Sequence, residues 1–177
     1  DFCLSRGLGD VYKRQDIDNS TKAYYYKIRN RIIRERVMNS RSFFYDFGRA
    51  LYHVDSFYDE FAKQSNVSSA LLWVLYALND GNSHTQIEIS NDWELPKTTV
   101  NTVIKEIQKN GYVDLIPIKG KRREMSIVLT ENGKKYADRV LADLYKKEAE
   151  VYKALSSDEY AIVAVLEKIA KKLKGVE

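Results

Sequence analysis

The sequence predicts a mainly α-helical protein with one small β-hairpin, and three observations support this. From residue 42 onward, apolar residues recur every three or four positions, the period of a helix buried along one side. Two short β-branched runs, at residues 112–116 and 126–129, interrupt that period once. A loop rich in lysine and arginine lies between the two runs. The predicted order is therefore four helices, a basic hairpin and two more helices.

The first two helices are predicted from apolar side chains. Residues 42–64 carry a stripe of aromatic and aliphatic residues, beginning at Phe44 and spaced three or four apart. Ser68 or Ser69 can cap the second helix, which runs to Leu78 and is apolar nearly all round. A helix without a polar face must be central, so we expect the others to pack around it.

The third and fourth helices are short and close together. Ser83 and Gln86 have the spacing of a capping box, which predicts the start of the third helix with His84 in its first turn. Pro96 is suited to the first position of the fourth helix, because a proline lacks the N–H that has no partner there. Gly111 is suited to its C-terminal end.

The last two helices follow the hairpin. Thr130 can cap a fifth helix that begins at Glu131, and Ser156 with Glu159 forms a second capping-box pattern before the sixth. Two short helices followed by a basic hairpin make a winged helix-turn-helix, which we place at residues 67–130. The long helices at residues 42–64 and 131–173 are predicted to form a dimerisation layer on either side of it.

The composition of the chain restricts the classes of function that it can have. The net charge is +4, but residues 97–123 alone carry +5, because seven lysines and arginines face only Glu106 and Asp114. Such a concentration of positive charge attracts phosphates.

Cys3 is the single cysteine and there are two histidines, so we expect no disulfide, no metal site and no cofactor. Neither a nucleophile motif nor a phosphate-binding glycine loop is present, so we predict no catalytic residues and no enzyme. We find no membrane-length apolar run and expect a cytoplasmic protein.

The fourth helix has two contrasting faces when it is drawn at 100° per residue. One face is aliphatic and consists of Val100, Val103, Ile104 and Ile107. The other is polar and basic, with short threonine and asparagine side chains that can approach base edges in a major groove. The DNA-contacting residues predicted on this helix are Lys97, Thr98, Thr99, Asn101, Thr102 and Lys105.

The hairpin loop is the second predicted DNA contact. Its basic residues repel one another unless an anionic partner is present, and a narrow minor groove is a suitable partner for an arginine. The wing residues predicted to contact DNA are Lys119, Lys121, Arg122 and Arg123.

Two motifs resemble the MarR family of bacterial transcription regulators. The run from Leu95 to Val100, followed by Ile107–Val113, resembles the family's recognition helix, and Ile127–Gly133 resembles its "V-x-L-T-x-x-G" motif. The sequence differs from the family where Pro96 replaces a capping serine and Lys121 replaces the aspartate of the wing's Asp-x-Arg pair. Glu124 is a candidate substitute for that aspartate.

This resemblance implies a homodimer that binds a pseudo-palindromic operator, most simply as a repressor. It also implies release from DNA by a small aromatic ligand bound between the dimer helices and the DNA-binding lobe. The aromatic residues that are candidates for such a pocket are Phe44, Phe47, Trp73, Tyr76 and Tyr145. The simpler interpretation of each is that it belongs to a dimer core.

Two further alternatives remain open from the sequence. A winged helix can serve as a protein–protein interaction module without binding DNA, which would require an exposed apolar patch on the fourth helix or wing. Residues 1–37 are expected to be a leader outside the domain at 38–177, either non-native or flexible. The basic stretch within residues 20–37 is either an extension without a role or an arm that contacts the DNA backbone.

Overall fold

The computed structural model describes residues 39–121 and 124–176. This part of the chain contains six α-helices, one short 3-10 helix and three strands, so the predicted mainly helical fold class with a small wing is confirmed. The described residues form two compact units that divide between Asp55 and Ser56. The predicted leader at residues 1–37 lies outside the described residues.

The elements follow the predicted order with one addition, a short strand before the third helix. The helices are α1 (Ser40–Gln64), α2 (Ser69–Leu78), α3 (Gln86–Asp92), α4 (Lys97–Lys109), α5 (Glu131–Ala154) and α6 (Ile162–Lys174). A 3-10 turn, Glu159–Ala161, precedes α6. The strands are β1 (His84–Thr85), β2 (Val113–Pro117) and β3 (Met125–Leu129).

The first unit is described from residue 39 to Asp55 and contains the start of α1. Asn39 begins the helix, because its side-chain oxygen accepts a hydrogen bond from the Ser42 N–H at 2.9 Å. Phe43, Phe44 and Phe47 then form a ring cluster, with centroids 5.1–6.0 Å apart. Phe43 and Phe44 remain exposed in the single chain.

The second unit holds the buried core, which α2, α4 and α5 share with the sheet. As its apolar sequence predicts, α2 is central, and Leu72, Val74 and Leu75 are fully buried. The aliphatic face of α4 packs into the same cluster. From α5, the core receives Ala137, Leu141 and Leu144, which follow one another at helical spacing.

The three strands form an antiparallel sheet in the order β1-β3-β2. Ile127 lies at its centre, opposite His84 on one side and Leu115 on the other, and is fully buried. The hairpin of β2 and β3 is therefore fixed to the segment that leads into α3. This arrangement holds the wing beside the helix-turn-helix.

The predicted start of α3 was wrong by two residues. The N-cap is Thr85, whose hydroxyl accepts from the Glu88 N–H at 3.1 Å, while the Glu88 carboxylate accepts from the Thr85 N–H at 2.7 Å. Ser83 and Gln86 do not form the capping box, and His84 belongs to β1 and not to the first turn of the helix. The physical reason is the pairing of β1 with β3, which keeps His84 and Thr85 extended.

Ser156 and Glu159 form a hydrogen-bonded turn before the 3-10 helix and do not cap α6, which begins at Ile162. The remaining predicted helix ends agree more closely with the structure. Ser68 caps α2 and Thr130 caps α5 through side-chain hydrogen bonds. Gly111 follows Asn110, the C-cap of α4, and has a φ of 72°, a backbone conformation that glycine adopts without strain. Pro96 stands at the N-cap of α4, one position earlier than predicted.

Candidate nucleic-acid interface

Helix α4 presents the predicted polar face to solvent because its opposite face is fixed in the core. Val100, Val103, Ile104 and Ile107 are all buried. The exposed residues on the far side of the helix are Thr98, Thr102, Lys105 and Lys109, with Lys97 exposed in the first turn. A rigid helix with short polar side chains and lysines on its outer face can enter a major groove.

The predicted contact residues of α4 differ in exposure. Thr99 and Asn101 are half-buried at the edges of the outward face, whereas Thr98 and Thr102 are exposed. The Thr102 hydroxyl donates to the Thr98 carbonyl oxygen at 2.9 Å. Because that bond uses its only hydrogen, Thr102 offers acceptor lone pairs to solvent. It is therefore suited to base edges that donate, such as the amino groups of adenine or cytosine.

The turn between α3 and α4 is held by hydrogen bonds to Ser90. The Ser90 hydroxyl donates to the Leu95 carbonyl at 2.7 Å, and the Ser90 carbonyl accepts from the Leu95 N–H at 3.1 Å. Glu94 occupies the left-handed region with a φ of 50° and accepts from the Lys174 ammonium at 2.5 Å. Since Ser90 is buried, these bonds set the angle at which α4 leaves the turn.

The wing is described on both sides of its tip. Lys119 and Lys121 are exposed, and the Lys121 ammonium donates to the Glu124 carboxylate at 2.5 Å. This hydrogen bond raises the pKa of Lys121, so its charge is secure at neutral pH. Glu124, the candidate substitute for the family's wing aspartate, thus bonds Lys121. Arg122 and Arg123 lie outside the described residues.

A compact joint connects the end of α4 to the start of α5. The Thr130 hydroxyl donates to the Gly111 carbonyl at 2.7 Å, and the Thr130 N–H donates to the Tyr112 carbonyl at 3.0 Å. The same hydroxyl accepts from the Gly133 N–H at 3.0 Å. A side chain at Gly133 would overlap the Tyr112 backbone. The "L-T-x-x-G" motif is therefore the joint that fixes the end of α4 to the long helix α5.

Three of the five residues predicted to line a ligand pocket lie in one aromatic cluster. The Tyr76 ring lies 5.9 Å from Trp73 and 5.4 Å from Tyr145, measured between centroids. Trp93 stacks on Trp73 at 4.7 Å. Tyr58 also packs on Trp73, at 4.8 Å. Phe44 and Phe47 belong to the first unit, and their structure is the ring cluster described above.

The polar centre of this cluster is a carboxylate that the sequence did not predict to bind there. The hydroxyls of Tyr58 and Tyr76 each donate to a different oxygen of Glu148, both at 3.1 Å. Burial, followed by the nearby Glu148 charge, raises the pKa of Tyr58 to about 12 and that of Tyr76 further. Helical spacing indicated that the two tyrosines face inward. The only further signal was a lone acid, Glu148, on the inward side of α5.

The two tyrosines predict a loss of stability at high pH. Because burial beside Glu148 holds their pKa values above the usual tyrosine value of 10.0 in the folded state, they stabilise the fold fully below pH 10. That contribution declines as the pH rises from about 10 to 12 and beyond. Urea unfolding at pH 9 and pH 11 should show a smaller decline in a Tyr58→Phe, Tyr76→Phe double variant than in the wild type. An equal decline in the two proteins would contradict this assignment.

Comparison with known proteins identifies the architecture. Neither a family model nor a curated protein sequence matches the chain. A solved structure of a MarR family regulator from Neisseria meningitidis is similar over 78% of this chain and 96% of that one, at 26% identity and a TM-score of 0.68. The chain has the MarR winged-helix fold. The resemblance predicted from the motifs at residues 95–113 and 127–133 is therefore confirmed.

Two staphylococcal structures agree on this fold. Staphylococcus aureus MepR in its DNA-binding conformation covers 74% of this chain and 98% of its own, at 19% identity and a TM-score of 0.63. Staphylococcus aureus MarR covers 77% and 93%, at 20% identity and a TM-score of 0.58. In the MarR fold, α3 and α4 are the helix-turn-helix and the β2–β3 hairpin is the wing.

Within the described residues, no three or more histidine, cysteine, aspartate or glutamate side chains are placed to hold a metal ion. No helix of the described part has both the length and the apolar character needed to cross a bilayer.

Proposed function

We propose that this protein is a sequence-specific, double-stranded DNA-binding transcription regulator that acts as a homodimer, in the manner of a cytoplasmic bacterial repressor. One observation carries the proposal. The outward face of α4 is polar and basic, it is held rigidly by a buried aliphatic face, and the wing lysines follow it. Positively charged side chains of this kind neutralise phosphates, and short polar ones contact bases.

The distribution of charge supports DNA rather than a protein as the partner of this surface. Residues 97–123 carry +5, whereas the rest of the chain from residue 38 onward carries −5. This asymmetry orients the protein in the field of a nucleic acid, with α4 and the wing toward the phosphates. A protein-docking surface would instead present an apolar patch, but the outward residues of α4 are threonines and lysines.

Exposed apolar side chains on the long helices support the homodimer. In the single chain α6 has no buried residue, and Ile162 and Leu173 are 57% and 67% exposed. On α1, Phe43, Phe44, Leu51 and Val54 are similarly exposed. Apolar surface of this extent is unusual on a monomer and typical of a subunit interface. We therefore propose that α1 and α6 pack against a second copy of the chain.

The homodimer has a direct test. Replacing both Ile162 and Leu173 by glutamate should convert the dimer into a monomer at micromolar concentration, because charged residues are excluded from the centres of interfaces. Analytical ultracentrifugation measures the change as a halving of the mass. Lys171→Glu, on the opposite face of α6, is the matched control and should remain dimeric. A monomeric wild type would refute the dimer.

A two-fold symmetric dimer implies a particular operator. Two copies of α4 must lie about one turn of DNA apart, roughly 34–36 Å, to occupy successive major grooves on one side of the duplex. The operator is then pseudo-palindromic. DNase footprinting on the intergenic region beside the gene should show one protected site with two such half-sites. Uniform protection at every sequence would contradict specific recognition.

A small aromatic effector is the last part of the proposal. One structure of this fold holds salicylate and kanamycin, and another holds 4-hydroxyphenylacetate. In the second unit of this chain the candidate pocket residues are Trp73, Tyr76 and Tyr145, which pack together. A thermal-shift screen with aromatic acids tests this point. A rise in melting temperature with one of these acids would support an effector of this class. If none of them stabilised the protein, the proposed aromatic effector would be rejected.

A further inference from the structure

A cleft of about 350 Å³ lies on the helix-turn-helix lobe, between the end of α2, strand β1 and helix α3. Its aromatic walls are Tyr76 and Trp93, and Ile89 is among its apolar lining. The volume is within the range of pockets that hold small molecules. Of the five predicted pocket residues only Tyr76 lines this cleft, so the cleft overlaps the predicted effector site at that residue alone.

The aromatic walls are fixed before any ligand arrives. The Tyr76 and Trp93 rings meet edge to face at 5.5 Å and 70°. Trp93 is held from behind by its stack on Trp73, and the Tyr76 hydroxyl is held by Glu148. Two π faces that need not reorganise provide a binding surface at low entropic cost.

The polar lining of the cleft is anionic. Asp80 is held by hydrogen bonds from Asn82 and by His84, whose Nε2 lies 3.0 Å from the Asp80 carboxylate. These bonds lower the pKa of Asp80 to about 2, so it is ionised at neutral pH. Asp92 is an exposed second carboxylate in the lining. Among the described residues that line the cleft, none is lysine or arginine.

Aromatic faces combined with carboxylates select one class of ligand. Aromatic rings attract cations through their quadrupoles, and carboxylates attract them through charge. The same groups repel a phenolate or an aromatic carboxylate. We propose that this cleft is a binding site for a small aromatic cation, with Tyr76 and Trp93 against its ring and Asp80 and Asp92 near its charge.

The cleft is close to the elements proposed to bind DNA. Asp92 is the last residue of α3, Trp93 follows it, and α4 begins at Lys97. His84 pairs with Ile127 of β3 in the wing hairpin. A bound cation would therefore touch both supports of the recognition helix and wing. Its effect on DNA affinity rests on the proposed function, whereas its binding does not.

The test compares three ligands of similar shape by isothermal titration calorimetry on the full chain without DNA. N-methylquinolinium is a permanent cation, quinoline is nearly neutral at pH 7.5, and quinoline-2-carboxylate is an anion. We expect saturable binding of N-methylquinolinium, at least about tenfold tighter than that of quinoline. The anion should bind most weakly. Because DNA is absent, the result is independent of whether the protein regulates transcription.

Two variants locate the binding within the cleft. Asp92→Asn should weaken N-methylquinolinium by at least about threefold, the effect of one exposed charge pair, and should leave quinoline unchanged. Trp93→Leu should weaken both ligands, with circular dichroism to verify folding. Asp143→Asn, an exposed acid on α5 outside the cleft, is the control and should change neither. The proposal would be overturned if N-methylquinolinium did not bind saturably, or if quinoline-2-carboxylate bound as tightly as the cation. It would also be overturned if Asp92→Asn bound N-methylquinolinium with the affinity of the wild type.

Discussion

Replacing Gly133 by alanine is expected to lower the free energy of unfolding by about 3 kcal/mol, the upper part of the range for an overpacked core position. The new Cβ would overlap the carbonyl group of Tyr112. That carbonyl is backbone and already accepts from Thr130, so it cannot move without breaking the joint between α4 and α5. The loss should exceed any gain in helix propensity, which is about 1 kcal/mol for a glycine-to-alanine change.

Urea unfolding measures this effect, and the chain contains a matched control. Gly48 is also inside a helix, α1, but a Cβ there would meet nothing within 4 Å. Gly48→Ala should therefore stabilise the protein by about 0.5–1 kcal/mol, while Gly133→Ala destabilises it. If both substitutions left the free energy of unfolding unchanged or raised it, the result would contradict the close contact of α5 with the Tyr112 backbone.

Removing two lysines from the recognition helix should cost the most DNA affinity. Lys97 and Lys105 are exposed on α4, and a dimer would present four such ammonium groups to DNA. In a Lys97→Ala, Lys105→Ala double variant, the slope of log K against log salt should fall by about 4, close to one per lost phosphate contact. Affinity near 150 mM salt should fall by about 100-fold or more.

The control is a second pair of exposed lysines in the same chain. Lys146 and Lys147 lie on α5, away from α4 and the wing, and Lys147 pairs with Glu150. Replacing both by alanine removes the same net charge and should leave the salt slope within about 1 of the wild type. Equal losses in the two double variants would indicate a general charge effect and contradict contact through α4.

The sequence alone was sufficient to predict the helices and strands in which buried residues recur at a regular spacing. The four aliphatic residues of α4 recur on one face, and that periodicity placed both the buried and the outward side correctly. The β-branched runs of β2 and β3 and the stop at Gly111 were predictable for the same reason, since each depends on residues close in sequence.

Contacts between residues that are distant in the sequence determine the features that the sequence alone did not predict. Ser83–Gln86 and Thr85–Glu88 both have capping-box spacing, and only the pairing of His84 with Ile127 selects the second. The Glu148 carboxylate is shared by two tyrosines that lie 90 and 72 residues away, and no local pattern specifies such a contact. The hydrogen bond from Thr130 to Gly111 is a second example. The motif that contains Thr130 could be identified in the sequence, but its bonding partner could not.

Binding to specific DNA is the central claim, and fluorescence anisotropy with labelled DNA from the promoter region beside the gene tests it most directly. At about 150 mM salt, we expect the chain to bind one site in this DNA at least about 1,000-fold more tightly than a shuffled sequence. We expect steep weakening as salt rises. Equal affinity for both DNAs, or no binding with a flat salt dependence, would contradict the claim and favour a winged helix that docks on proteins.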